Sequence, residues 1–543
     1  MWSRRTDERG SIIILATVGI VLSMIAAALA VDLGRLASDK RTDQKIADLA
    51  ALDAARQLTS AATACTAAQA SATRNGYGSL ACSDVVLGYI DPVSKAFVAG
   101  GVMDTVQVKV RSAFSAAFPF VSGPSSTGGK AAAAIVPHGG FTLGSSLVTL
   151  NTSQSTLLNP VIGQMIGGSS LSLSLVSWRG LSTGSITLAA LKTQLASMGF
   201  TVGSVSQLLT TSLTVAQLYQ ATANALTLGG DSVDASVLNV LKLAATFTTQ
   251  IKLGDFLNVD QGSDGVALGS RLNLLQLVNG SAQASALDGS HTVSISNLGL
   301  TVPGVASTGL TLSVIDPPKT YIGAKGGPVP PLSTGQIDLT LTPKLDLDVT
   351  IAGLVGAKVM NDLPVRVSVA GAKGYIKDIT CGTTPSMTVN VDPTAFSGSA
   401  TTSTPLRLAT VVSLPVVGTV TTPLLDVGTT SAVPSTDAPA QDVAFSYPTE
   451  FFPTASSKHI GSQPVGLQGL TRFTAGTTTV LGVLPLPTAT VVTTIFNALS
   501  PVLGSVDNTI LTPLLSALGM DIGGADVTAL ADAFKCDTPG LVG

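Results

Sequence analysis

Four cysteines carry the plainest chemistry in this sequence: Cys65, Cys82, Cys381 and Cys536 form an even set. They lack C-x-x-C spacing and nearby histidines, so disulfide formation is expected rather than metal ligation. Cys65 and Cys82 are near neighbours and are paired here, which closes a loop for a gain of about 3 kcal/mol in the chain-entropy picture. Cys381 is then left for Cys536. Free buried thiols are the alternative, because connectivity does not follow from spacing alone. Acid–base or nucleophilic chemistry has little to draw on. The three histidines, His138, His291 and His459, are each read as solvent-facing loop residues, and no G-x-S-x-G or H-E-x-x-H string occurs. Gly129-Lys130 superficially matches the end of a phosphate loop, but Pro124 stands where the first glycine belongs and Ala131 replaces the magnesium-binding Ser or Thr. Asp338, Asp346 and Asp348 could share a face across a hairpin around Pro343 and hold Ca²⁺, which wants six or more oxygens. The reading preferred for them is the solvated face of an antiparallel sheet. No catalytic, cofactor or metal site is expected, and the protein is read as a non-enzyme.

The elements that would position such residues begin with an apolar run. From Ile12 to Val31 there is no ionised side chain, and twenty helical residues span roughly 30 Å, the thickness of a bilayer's hydrocarbon core. The run continues without a break into an alanine-rich amphipathic helix expected to reach about Ser60. Ala47, Ala50, Ala51, Ala54 and Ala55 recur on one face of it, narrow enough for another backbone to lie close. A rival reading makes Arg4, Arg5 and Arg9 the n-region of a signal peptide, with Ala28-Leu29-Ala30 as the cleavage site. Asp7 and Glu8 dilute that n-region, and no helix breaker follows the apolar run.

Composition points to export. Hydrophobic residues make up 45% of the 543, charged residues only 11%, and the net charge is −3. There is no basic footprint for nucleic acid and no acidic tail. A neutral coat of Ser, Thr, Gly, Asn and Gln repels neighbours weakly, which favours association with like molecules or other envelope proteins.

The strings Arg9-Gly10, then Ala30-Val31-Asp32-Leu33-Gly34-Arg35, Arg41, Gln44, Ala47-Asp48 and Ala50-Ala51-Leu52 resemble the N-terminal domain of TadG-like Flp (tight adherence) pilus-assembly proteins. The stretches Leu150 to Gly168 and Val314 to Lys319 resemble the long periplasmic part of that family. The resemblance implies a bacterial single-pass protein of the inner membrane with its bulk periplasmic or extracellular. It also implies partners among pilin-like or assembly proteins, itself included, with the alanine face and the apolar span packing against such subunits. A type IV prepilin peptidase cuts after a Gly such as Gly10 and prefers Glu five residues into the mature chain; Leu15 holds that place here. Some members carry a von Willebrand A-type domain with a D-x-S-x-S metal site; the nearest string, Asp288 to Thr292, ends in Thr and follows no apolar strand.

The expected fold class is α+β. A short cytoplasmic N-terminus (1–11) and a transmembrane helix (12–31) precede a pilin-like membrane-proximal domain (32–140) with a small antiparallel sheet. A large exported domain (141–543) of mixed helices and strands follows. Val85 to Ile90, Val106 to Ser112 and the run AAAAIVP after a linker at Ser122 to Gly129 read as strands. Leu171 to Ser177, Gln336 to Thr342, Leu345 to Ile351 and Val365 to Gly371 alternate with period two and read the same way. Four segments starting at Ile186, Leu213, Ile251 and Leu272 share a loose unit, a short apolar entry followed by an amphipathic helix, without the fixed period of a solenoid. The helix-rich part is thus about 180–285 and the strand-rich part about 286–425. Ser397 to Pro405 and Gly428 to Gln441 read as linkers, and the proline-broken apolar segment of about 480–534 as helices packed on the body or lying on the membrane. A secreted adhesin or matrix protein, released after Ala30, is the alternative function.

Overall fold

The computed structural model describes residues 9–58, 60–91, 94, 96–100, 105–115, 126–144, 152–168, 171–333, 335–351, 354–369, 371–381, 384–393, 396–401, 406–414, 418–427, 429–433, 439–454, 457–461, 474–475, 479–480, 488–520, 524–536 and 539–542. The chain is α+β and divides into two units, residues 1–136 with 536–543, and residues 137–535. The last eight residues, read from sequence as part of the exported body, return to the first unit.

The first unit is built on α1 (Arg9–Arg56), 48 residues without interruption, about 72 Å at 1.5 Å per residue. It stops four residues short of the expected Ser60. There the chain starts a second helix, α2 (Ala61–Arg74), which sequence reading missed. Ser60 caps it: the Thr63 amide donates to the Ser60 hydroxyl at 3.2 Å, and the Ser60 amide donates to the Thr63 hydroxyl at 3.0 Å. This reciprocal pair satisfies two amides that a helix start leaves without partners. β1 (Val85–Ile90), β2 (Phe97–Ala99), β3 (Thr105–Ala113) and β4 (Ser126–Ile135) follow, so residues 126–129 of the expected linker are strand. The sheet has the order β2-β1-β3-β4 and ends on the C-terminal strand Pro539–Leu541, every pair antiparallel.

The second unit opens with β5 (His138–Gly144), α3 (Thr152–Gly167) and α4 (Leu175–Thr183). The run at Leu171 to Ser177, expected as a strand, is the lead-in and first turn of α4, because Ser174 accepts from the Ser177 amide at 3.1 Å and Trp178 turns into the core. The repeated unit then shows its meaning. β6 (Ser185–Thr187) leads into α5 (Leu188–Ser197); after α6 (Val205–Thr210), β7 (Ser212–Thr214) leads into α7 (Val215–Leu228) and α8 (Ser232–Ala244). β8 (Gln250–Lys252) enters a 3-10 turn, β9 (Leu257–Val259) and α9 (Asp264–Gly269) come next, and β10 (Arg271–Asn273) leads into α10 (Leu274–Asp288). Each entry is a three-residue strand with a buried middle residue, Ile186, Leu213, Ile251 or Leu272. The strands pair antiparallel, β6 with β10 and β7 with β8, so that Ile186 faces Leu272 and Leu213 faces Ile251. In three of the four the residue ending the strand also caps the helix: Thr187, Thr214 and Asn273 accept from the amides of Ala190, Gln217 and Leu275.

The strand-rich part begins at β11 (Val293–Ile295) and β12 (Val305–Asp316), continues through β13 (Thr320–Ala324) and β14 (Leu332–Ser333), and turns on β15 (Gln336–Ile351). The hairpin expected at Pro343 does not exist. β15 is continuous, paired along one edge by β12 and along the other by β17 (Val365–Val369) and then β16 (Leu354–Asp362). The carbonyl of Pro343 accepts from Leu363 in the β16–β17 connection, so its ring nitrogen faces a gap in the ladder where no donor is required. Parts of the two expected linkers are strands too, Phe396–Thr401 and Thr429–Val433; residues 402–405, 428 and 434–438 lie outside the described residues. In the apolar C-terminal segment, α11 (Thr488–Val506), a π-helical turn (Asp507–Leu511) and α12 (Thr512–Ala517) pack into the core through Leu503, Val506, Ile510, Leu514 and Leu515. Side-chain amides of Asn279 and Gln283 on α10 donate to the carbonyls of Ala517 and Leu518, closing the end of α12. Residues 481–487 lie outside the described residues.

Candidate functional site

The first unit puts α1 to two different uses along its length. In its second half, Ala47, Ala50, Ala51, Ala54 and Ala55 are fully buried. What they meet is the chain's own structure: Val106, Val108 and Val110 of β3, Ala131 and Ala133 of β4, and Ala64, Ala68 and Ala72 of α2. The expectation that this face packs against other subunits is therefore corrected. Methyl-sized side chains let α1 lie close to a sheet and a second helix at once, and that space is filled from within the unit.

Polar residues of α1 fix the same docking. Asp43, 3% exposed, accepts from the hydroxyls of Ser112 at 2.6 Å and Thr127 at 2.5 Å, holding β3 and β4. Gln44 pairs its carboxamide with the peptide of Lys130: its Nε2 donates to the Lys130 carbonyl at 3.0 Å and its Oε1 accepts from the Lys130 amide at 3.3 Å. The same Nε2 lies 2.7 Å from Asp48 Oδ1. Gln44 thus extends the ladder that Pro539–Leu541 makes with Ala133 to Ile135, and the β4 edge is covered by the chain itself. Asp53 joins α1 to α2 through Arg74 at 2.7 Å. At Gly129 a Cβ would collide with the backbone of Asp43 and Gln44, so glycine is what allows β4 to lie against the helix. Beside this contact is a cavity of about 440 Å³, lined by residues that include Gln44, Asp48, Phe97, Gln107, Lys130 and Leu541.

In its first half α1 touches almost nothing. Ile13, Ile14, Leu15, Val18, Ile20, Val21, Leu22, Met24, Ile25, Leu29, Val31 and Leu33 are all exposed, and a Cβ added at Gly19 or Gly34 would meet no neighbour. Ile13–Arg56 is the one helix among the described residues long and apolar enough to cross a membrane. Gly10 lies within the same helix, Asp32 is buried, and Arg35 is exposed.

Residues 10–57 match the family model for putative Flp pilus-assembly TadE/G-like proteins. The N-terminal segment is similar to a TadE/G-like domain. The match covers the apolar half of α1 and its docked half, including Gln44, Ala47 and Asp48. Residues 154–294 match a domain of unknown function, DUF8293; this is the stretch from α3 through the paired strand-to-helix units to β11. No curated protein and no solved structure matches the chain.

The remaining residues singled out from sequence are dispersed. Cys65 and Cys82 form a disulfide, with Cα atoms 5.5 Å apart, and Cys381 and Cys536 are disulfide-bonded too. Of the histidines read as solvent-facing loop residues, His291 is a half-buried loop residue, His459 is exposed but on a strand, and His138 is neither exposed nor in a loop. His138 is buried on β5, His291 stacks on Phe247 with ring centroids 4.3 Å apart, and His459 Nδ1 lies 3.0 Å from Asp526 across a strand pair. Asp338, Asp346 and Asp348 lie on one strand: Asp338 accepts from Ser368, while Lys358 lies 3.1 Å from Asp346 and 3.5 Å from Asp348. The string at Asp288 closes α10, and burial first, then the charge of Asp255, raises the Asp288 pKa above the usual carboxylate range.

Proposed function

We propose that the chain is a non-catalytic, single-pass envelope protein that takes part in assembling or anchoring a Flp-type pilus. Its apolar helix sits in the inner membrane and its second unit is exported. The TadE/G-like match at residues 10–57 carries the pilus assignment. The anchoring rests on one further observation: twelve large apolar side chains of α1, from Ile13 to Leu33, stand exposed, while the helix continues without a break past Ala30 into a part docked through Ala47 to Ala55. A cleavage after Ala30 would leave that docked helix beginning at Val31, with exposed Val31 and Leu33 in water. The apolar half, not the alanine face, is what remains for contact with lipid and with other pilin-like helices in the bilayer.

Alkaline carbonate extraction with N-terminal sequencing tests the anchoring. The expected result is a chain in the carbonate-resistant membrane fraction that retains Ile12 to Val31. A product starting at Val31 in the medium would overturn the anchoring and favour the secreted adhesin, and a start at Ser11 would reveal pilin-type processing despite Leu15.

A further inference from the structure

The outer face of the first unit's sheet carries cations that the fold leaves without carboxylates. Strand alternation turns Val106, Val108 and Val110 of β3 toward α1 and puts Gln107, Lys109 and Arg111 on the opposite face. Where β3 pairs with β4, Lys109 stands directly across from Lys130. Like charges so placed, about 5 Å apart at Cβ, destabilise the pair. Neither lysine, nor Arg111, has a side-chain hydrogen bond or ion pair among the described residues. Lys130 also lines the cavity of about 440 Å³ beside α1, and so does Gln107. Gln107 is 5% exposed, yet its carboxamide makes no hydrogen bond among the described residues. Such an amide is destabilising until something from outside meets it. Phe97, opposite Ile90, lays its ring over β1, and a Cβ at Gly88 would collide with that ring, so glycine makes the room. At the β4 edge the cavity reaches Asp48, whose Oδ1 holds Gln44 Nε2 and whose Oδ2 has no donor among the described residues.

We propose that this cavity binds an acidic saccharide, its carboxylate at Lys130 and Lys109 and its hydroxylated ring against Gln107 and Phe97. Each part of the ligand answers one wall. A carboxylate between the opposed lysines makes charge-assisted hydrogen bonds and removes their repulsion. Asp48 repels a second negative charge at the β4 edge and accepts only from a donor, which a hydroxyl supplies. Gln107 both donates and accepts, so it too suits hydroxyls. Phe97 offers the negative face of its ring to the C–H groups of a sugar. An inorganic anion satisfies the lysines alone, and a purely apolar acid leaves Gln107 and Asp48 unmet. The volume lies within the range of small-molecule sites. Every residue of the site belongs to the first unit, so the proposal stands apart from the membrane anchoring.

The test is saturation-transfer NMR of the full-length chain in detergent, with glucuronic acid and its neutral counterpart glucose as probes. The expected result is transfer to glucuronic acid several-fold stronger than to glucose, lost in Lys130→Gln and weakened in Lys109→Gln. Replacing one of two opposed lysines relieves repulsion, so both variants are expected to keep or raise the melting temperature of the unaltered chain. Gln107→Leu is expected to weaken the transfer too, which a site for the charge alone would not show. Arg35→Gln removes the same charge from an exposed turn of α1 outside the cavity and is expected to leave the transfer unchanged. Overturning results are no transfer to either sugar, equal transfer to both, or undiminished transfer in Lys130→Gln. A loss in Arg35→Gln as large as in Lys130→Gln would also sink the site, by reducing it to unspecific charge attraction.

Discussion

At the scale of single residues, Asp43 shows how one buried carboxyl group can hold a helix to a sheet. Both of its oxygens accept hydroxyls, from β3 and from β4, so Asp43→Leu leaves two donors facing an apolar side chain. The expected loss is about 1–3 kcal/mol, read as a lower melting temperature of the full chain in detergent. Asp234 of α8 behaves in the opposite sense. Its carboxylate fills the space where side chains at Gly180 and Gly184 would stand. Burial, then the charge of Asp231 and the hydrogen bond with it, raises its pKa above the ordinary carboxylate value. Between the unfolded and the raised folded pKa the native state holds a proton that the unfolded chain has lost, so stability falls as pH rises through that window. Asp234→Asn keeps a donor toward Asp231 without the charge. It is expected to raise the melting temperature at neutral pH and to give no gain below the unfolded carboxylate pKa; an equal gain at every pH would show that charge burial is not the cause. Neither role was legible in the sequence. Asp43 lies on a helix face that reads simply as polar, and its partners are 69 and 84 residues away.

At the scale of elements, legibility followed local signals. Period-two alternation located β3, β15 and β17, and the strand-to-helix unit was visible at Ile186, Leu213 and Leu272 because the capping residue and the apolar entry sit side by side in sequence. α2 was missed because its buried face is made of Ala64, Ala68 and Ala72, and alanine contributes little to an apolar periodicity. The alternation at Leu171 to Ser177 misled because Ser174 serves equally as a strand residue and as a helix cap. Pro343 suggested a turn because prolines are excluded from central strands unless the missing donor faces a gap, and only the staggered pairing of β16 and β17 reveals that gap. The capping unit itself makes a prediction. Asn273 accepts from Leu275 and Gln276 and donates to the Ser182 carbonyl at 2.6 Å, so it joins the start of α10 to the end of α4. Asn273→Ala is expected to cost about 2 kcal/mol, the upper end for a lost cap, and to speed amide exchange at Leu275 and Gln276. Thr187→Ala, which removes one capping bond and no tether, is expected to cost less.

At the scale of the whole molecule, the export proposed for the second unit makes a prediction about the cysteines. All four are in disulfides, bonds that form and persist outside the reducing cytoplasm. Basic residues do not settle the topology, since Arg4, Arg5 and Arg9 before the apolar span face Arg35, Lys40, Arg41 and Lys45 after it. A neutral surface with 11% charged residues accords with export but does not demand it. The decisive measurement is maleimide labelling of the full chain, denatured directly from intact cells with and without reductant. An exported second unit predicts no labelling before reduction and four labels after it. An arginine placed mid-span, Leu22→Arg, costs about 2.5–3.5 kcal/mol in the bilayer and is expected to leave a fraction of chains uninserted, with thiols reactive before reduction. Four reactive thiols in the unaltered chain would place the second unit in the cytoplasm and remove the basis for its display, whatever the N-terminal helix does.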